Sequence, residues 1–299
     1  MSPIPMGIST HRRALLALPL ALGGICLWPG SAAAASAPYG LRNTDMAFLA
    51  IELGGSVALC AVAFLVSSAV EGPDPECGWC ETNGFDRAVR NLLVAEDTRA
   101  PALASNILLG GAVPAASLSG LAFPALAREK GWFALQDTIV VVNSVLIASL
   151  LTELTKSLST RRRPFYAHGR QLEPVSDDLS PGEFRSFFSG HAAVSSSLAA
   201  SASTLAFARG YRVAPYLAAG TGALALTTAI LRIVADKHWA TDVIAGVAVG
   251  TLVGVLLPLA LHPREQPDPS SQAATLSPRK GAVGPSAKAV GPTPVWFAW

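Results

Sequence analysis

The chain has 299 residues, of which 51% are hydrophobic and only 14% charged, with a net charge of +2 and a mean hydropathy of +0.43. So apolar a chain with so few charges is uncommon among soluble globular proteins. The small net charge and the lack of aromatic-plus-basic clusters argue against nucleic acid as a partner.

His11, Arg12 and Arg13 precede an apolar run from Ala14 to Trp28, then Pro29-Gly30 and the small residues of 31–37. A basic head, a short apolar middle and a small-residue end describe a secretory signal peptide over 1–37, with an uncleaved anchor helix as the alternative. Either sends the chain to a membrane or across one. Six apolar stretches come next: Ala47–Val70, Ala104–Leu126, Trp132–Leu154, Gly190–Ala208, Val213–Leu231 and Val243–Leu261. At about 1.5 Å per residue, each crosses or nearly crosses a hydrocarbon layer of ~30 Å. Their recurrence favours an all-α, polytopic membrane bundle of about five or six long helices over a soluble helical core. Gly246 and Gly250, four apart, suit close helix–helix contact in lipid.

The connections Ala127–Gly131 and Arg209–Arg212 each carry two basic residues and are expected on the cytoplasmic side. The helix ends near Leu154, Gly190, Leu231 and Val243 then meet at the opposite, outer face. A cleaved signal leaves the mature amino terminus outside, so Ala47–Val70 cannot also cross without inverting every later span. Either that segment does not span, or only one of the first two apolar runs crosses. Cys26 and Cys60 sit in apolar runs and are read as inert. Cys77-Gly78-Trp79-Cys80 lacks the further ligands of a zinc site and reads as a local disulfide if its loop faces an oxidising compartment. Past His262, the stretch 263–299 is rich in Pro, Ser, Ala and Gly and is expected to be disordered, though its end, Val295 to Trp299, could touch the membrane interface.

Chemistry concentrates in three places. Lys156 and Arg163 are seven residues apart, two helical turns, and would face one way on a helix, with Arg161 and Arg162 pointing elsewhere. Pro164 then disfavours further helix. Ser189-Gly190-His191 opens the next apolar segment, where Ser189 is placed to cap it; free N–H groups at such a start make an anion site. In the third place, Arg232 precedes His238 by six residues and Asp242 comes four after it. A carboxylate there can hydrogen-bond one imidazole nitrogen and leave the other for a substrate. Taken alone, Asp242 reads equally as a helix cap.

Lys156-x6-Arg163-Pro164, Ser189-Gly190-His191 and Arg232-x5-His238-x3-Asp242 together resemble the three-part signature of the type 2 phosphatidic acid phosphatase superfamily. The family also includes bacterial acid phosphatases and vanadium haloperoxidases. The likeness spans about Lys156 to Gly250, with Phe188 where Pro is usual and Leu231 where Ser is usual. It implies a phosphatase domain over 38–262 with its catalytic core in 150–250. His238, held by Asp242, would attack phosphorus to give a phosphohistidine. His191 would protonate the leaving oxygen and then activate water. Lys156, Arg163 and Arg232, with Ser189 and the backbone near Gly190, would neutralise the phosphoryl oxygens, so no metal and no cofactor is implied. His168 matches nothing in the pattern and reads as a loop histidine. The expected substrate is a lipid phosphate or prenyl diphosphate at the outer face of a bacterial inner membrane. The alternatives are a non-enzymatic anionic-lipid binder or transporter, and a vanadate-dependent haloperoxidase.

Overall fold

The computed structural model describes residues 46–70, 77–128, 131–169 and 182–261. The signal-like segment 1–37, the loop carrying Glu173, Asp177 and Asp178, and the tail 263–299 lie outside the described residues. Seven helices are present among these residues: α1 Met46–Val70, α2 Gly84–Leu93, α3 Arg99–Ala127, α4 Gly131–Ser159, α5 Gly190–Ala208, α6 Ala214–Val234 and α7 Ala240–Leu261. A single helical turn, Pro164–Ala167, lies between α4 and α5. The fold is an all-α polytopic membrane bundle with six long helices. Four of them, α3, α4, α6 and α7, are long and apolar enough to cross a membrane.

Two of the six expected spans differ in kind. In α1 the apolar stretch Leu49–Leu65 is shorter than a span among the described residues. Helix α5 has the expected bounds, yet its serines lower its hydropathy and it forms the centre of the bundle. It packs against α3, α4, α6 and α7. Ser195, Ser197, Ala199, Ser201 and Ala202 are buried around its circumference. The Ser195 and Ser201 hydroxyls are tolerable in a core because they bond back into the helix, to the His191 carbonyl at 2.7 Å and the Leu198 carbonyl at 3.3 Å.

Helices α5 and α7 touch backbone to backbone. A Cβ on Gly246, Gly250 or Gly254 would stand 2.6, 2.0 or 2.6 Å from the carbonyl oxygen of Ser189, Ala193 or Ser197. Glycine every fourth residue keeps one face of α7 bare, and van der Waals contact then holds helices that lipid cannot drive together. This contact fixes the start of α7, and with it Asp242, against the start of α5.

At the far end of the bundle, Arg128 donates to the carbonyls of Arg209 and Gly210 at 3.4 Å, so the two basic connections sit together. Arg209 also forms a two-point pair with buried Asp137, at 2.6 and 3.1 Å. The ends of α4 and α6 and the starts of α5 and α7 lie at the other end, around the site.

Candidate active site

Helix α4 continues to Ser159, so Lys156 is helical, but Thr160 then takes a left-handed backbone (φ 36°) and the chain leaves the helix. The expectation that Lys156 and Arg163 share a helix face is therefore corrected: Arg163 is extended (φ −72°, ψ 150°). The turn nevertheless returns Arg163 to the cavity that Lys156 lines. It also reverses the expectation for Arg161, which points inward and is 1% exposed. Arg162 does point away, pairing with Glu183 at 2.6 Å.

His238 lies in the connection between α6 and α7 and is 3% exposed. Its Nδ1 is 2.8 Å from the Ser186 carbonyl. A carbonyl only accepts, so Nδ1 carries the proton and Nε2 keeps its lone pair. The direct hydrogen bond expected from Asp242 is replaced by this one, since the Asp242 carboxylate stands 3.8 Å from Nδ1. Its oxygens are already taken by the Ser186 hydroxyl at 2.6 Å, the Trp239 N–H at 2.9 Å and the Arg161 guanidinium. Ser186 thus joins the two: its hydroxyl donates to Asp242 while its carbonyl receives the His238 proton. Burial pushes the His238 imidazole down to about 4; Asp242 opposes this, and the charges of Arg163 and Arg232 add to it.

Ser189 caps α5, its Oγ accepting from Ala192 N–H at 3.4 Å. Gly190 matters by what it lacks, because a Cβ there would meet Thr152 at 3.2 Å and the Lys156 ammonium at 3.7 Å. The bare start of α5 thereby faces a lysine, a setting that suits an anion. His191 Nε2 lies 2.7 Å from Asn106 Oδ1, and Arg232 donates to Ser105 Oγ at 3.2 Å. Both partners come from α3, just before its π-helical turn Leu108–Ala112.

Lys156, Arg163, Gly190, His191 and His238 line one cavity of about 430 Å³. Its remaining wall is mostly apolar, with Cys60, Phe64, Leu109, Val145, Leu150 and Val194. Ser189, Arg232 and Asp242 do not line it; they are buried behind the polar end. His168 is on the surface, 2.9 Å from the Pro164 carbonyl. Among the described residues no cluster of His, Cys, Asp or Glu could hold a metal ion.

Residues 137–266 match the family model of the PAP2 superfamily. The chain carries a PAP2 superfamily domain. No curated protein and no solved structure matches the chain. A PAP2 domain in a bundle with four helices of membrane-crossing length fits a membrane phosphatase. Several residues of the site precede the PAP2 match, and sequence reasoning missed them: Asp86, Ser105 and Asn106. Within the PAP2 domain, Glu153, Arg161, Arg185 and Ser186 were also missed. Glu153 bonds both Lys156, at 3.3 Å, and Arg185. Only Arg161 and Arg185 carried a signal, as charged neighbours of the motifs. Of the two departures from the usual pattern, Phe188 is buried at the turn before Ser189 and Leu231 is partly buried on α6.

Proposed function

We propose that the protein is a membrane phosphatase that removes phosphate from a lipid phosphate monoester or prenyl diphosphate through a phosphohistidine. The observation that carries this reading is one cavity with two characters. Its polar end holds Lys156, Arg163, His191 and His238, and its wall runs on into apolar side chains of α1, α3, α4 and α5. A phosphate on a hydrocarbon chain fits such a cavity, whereas a small soluble ester would leave the apolar wall bare.

In this mechanism, His238 Nε2 attacks phosphorus while Nδ1–H stays on the ring, donating to Ser186. The P–N bond forms as the P–O bond to the leaving group breaks, and His191 gives that oxygen a proton. Lys156 and Arg163, in the cavity wall, offset the charge spread over the phosphoryl oxygens, with Arg232 adding its charge from behind the wall and the N–H groups at the start of α5 assisting. Water, deprotonated by His191, then attacks the phosphohistidine and releases phosphate. The three cations supply the charge that a metal ion would, so the reaction proceeds without one.

Two features support an outward-facing site. Arg128 and Arg209 gather at the opposite end, which the positive-inside rule assigns to the cytoplasm. Cys77 and Cys80 are joined in a disulfide at the site's end, where neighbouring Trp79 stacks on Arg161, and disulfides persist in oxidising compartments. The bacterial periplasm is such a compartment.

Purified full-length protein is to be assayed for phosphate release from prenyl diphosphate, phosphatidic acid, phosphatidylglycerophosphate and lipid A phosphate, with chelator present. Turnover of at least one, unchanged by chelator and abolished in His238→Ala, is expected. Turnover that survives His238→Ala refutes the mechanism. Lipid binding without turnover favours a non-enzymatic lipid binder, and halide oxidation appearing only with vanadate favours a haloperoxidase.

A further inference from the structure

The phosphohistidine mechanism gives no task to a second buried charge cluster directly behind the site. Asp86, in the first turn of α2, is fully buried and stands 51 residues before the PAP2 match. It accepts from Arg161 Nη2 at 2.6 Å, Thr241 N–H at 2.9 Å, Thr241 Oγ1 at 2.8 Å and Asn83 Nδ2 at 2.8 Å. Arg161 Nη1 in turn donates to Thr241 Oγ1 at 2.7 Å and to the Asp242 carboxylate. The Trp79 ring lies over the same guanidinium, 3.9 Å from its central carbon.

We infer that Asp86 and Arg161 are positioning residues for phosphoryl transfer, fixing Asp242 so that Ser186 can hold the His238 ring in its attacking orientation. The inference rests on the phosphohistidine reading. The geometry forms one connected path: Asp86 to Arg161, Arg161 to Asp242, Asp242 to the Ser186 hydroxyl, and the Ser186 carbonyl to His238 Nδ1. Each link is a hydrogen bond between buried groups, and three of the four involve a full charge, the strong class of such bonds. The path has little slack. Asp242 Oδ2 already takes Ser186 and Trp239, and its Oδ1 is held by Arg161, so the carboxylate cannot turn without breaking a charged bond. If Arg161 lets go, Asp242 is free to rotate toward the imidazole 3.8 Å away, and the ring shifts off the Ser186 carbonyl.

A purely structural role is the competing account, because Asp86 also receives Thr241 N–H in the first turn of α7. Kinetics separates the two. Neither residue lines the cavity, so substrate binding is untouched while the attack is slowed. For Asp86→Asn in the full chain, assayed on the wild type's best lipid phosphate, kcat is expected to fall roughly 10–100-fold, the usual cost of removing an orienting partner. KM should stay within about twofold. Folded enzyme is counted from circular dichroism and the thermal melt. Phosphohistidine, trapped by alkaline detergent quenching because its P–N bond is labile in acid, should form more slowly and to a lower level than in the wild type. Combined with Asp242→Asn, the variant should be no slower than Asp242→Asn alone, because both act on one path.

Two further variants guard against misfolding. Asp86→Asn with Arg161→Gln removes the charges as a pair and leaves no buried guanidinium unmatched. Thr241→Val cuts the bridging hydroxyl with no change of charge. Both should lower kcat and spare KM. Unchanged kcat per folded molecule, or losses that multiply with those of Asp242→Asn, overturns the inference. Inactive His238→Ala beside Asp86→Asn of wild-type rate overturns this inference alone, whereas His238→Ala that still turns over overturns the phosphohistidine reading and this one together.

Discussion

Between pH 7 and pH 4 an ordinary imidazole gains a proton, and a histidine that must attack phosphorus loses the lone pair it attacks with. His238 should resist this, because burial pushes its titration down to about 4, with Arg163 and Arg232 adding to the shift against Asp242. At pH 5, an imidazole titrating at the ordinary value of about 6.5 is only about 3% neutral, while one titrating at about 4 is about 90% neutral. The difference in competent enzyme is about 30-fold. The assay is kcat/KM for phosphate release from pH 4 to 8, with the substrate's own phosphate titration measured separately by phosphorus NMR and divided out. The acid limb should bend near 4, and Arg232→Gln should move it upward by removing one of the repelling charges. The same titration carries a sign for stability. Between about 4 and 6.5 the unfolded chain binds the proton and the native site does not. Stability is therefore complete above about 6.5 and is lost as pH falls toward 4, by on the order of 3 kcal/mol in the limit. A limb bending at the ordinary value, with stability flat from pH 7 to 5, would refute the claim that a dry, cation-lined pocket holds His238 neutral.

Two other outcomes rest on the bundle. Gly250→Ala places a methyl 2.0 Å from the Ala193 carbonyl, and backbone cannot move aside as a side chain can. Overpacking of about 1–3 kcal/mol should lower Tm by roughly 2–12 °C in a thermal scan, and an unchanged Tm would mean α5 and α7 pack otherwise. At the far end, Asp137→Leu leaves Arg209 buried without its two-point partner and should destabilise by about 3–5 kcal/mol, while Asp137→Leu with Arg209→Met should restore most of that. The rate per folded enzyme should match wild type in the double variant; a loss would tie that end to the chemistry.

Apolar patterning carries most of the helical layout, since a membrane-length run of Ala, Leu and Val has few other ways to satisfy its backbone. Gly190–Ala208 is legible to the residue because Ser189 marks its start and Arg209 its end. Patterning does not reveal that this helix is the buried hub. A helix mostly of serine and alanine reads alike whether the neighbour is lipid or protein. The π-helical turn at Leu108–Ala112 is equally invisible, as glycine pairs occur in ordinary helices too. Among Arg161, Arg162 and Arg163, the sequence offers three identical side chains. Their separate fates come from one left-handed residue, Thr160, which turns Arg161 to Asp86, Arg162 to Glu183 and Arg163 to the cavity.

The residues that react are close together in sequence motifs, but several of those that hold them are not. A histidine or a cation in a dry site needs a hydrogen-bond partner. Lys156 finds Glu153 one turn back on its own helix, but His191, Arg232 and Arg161 bond to groups far away in sequence. These partners come from other elements: Asn106 for His191 and Ser105 for Arg232, both from α3, and Asp86 for Arg161, from α2. All three precede the PAP2 match. The stretch from Asn83 to Asn106 therefore belongs to the site as much as the motifs do, although no motif marks it in the sequence. A PAP2 domain cut away at its matched boundary would keep every reacting group and lose the partners that fix three of its buried side chains.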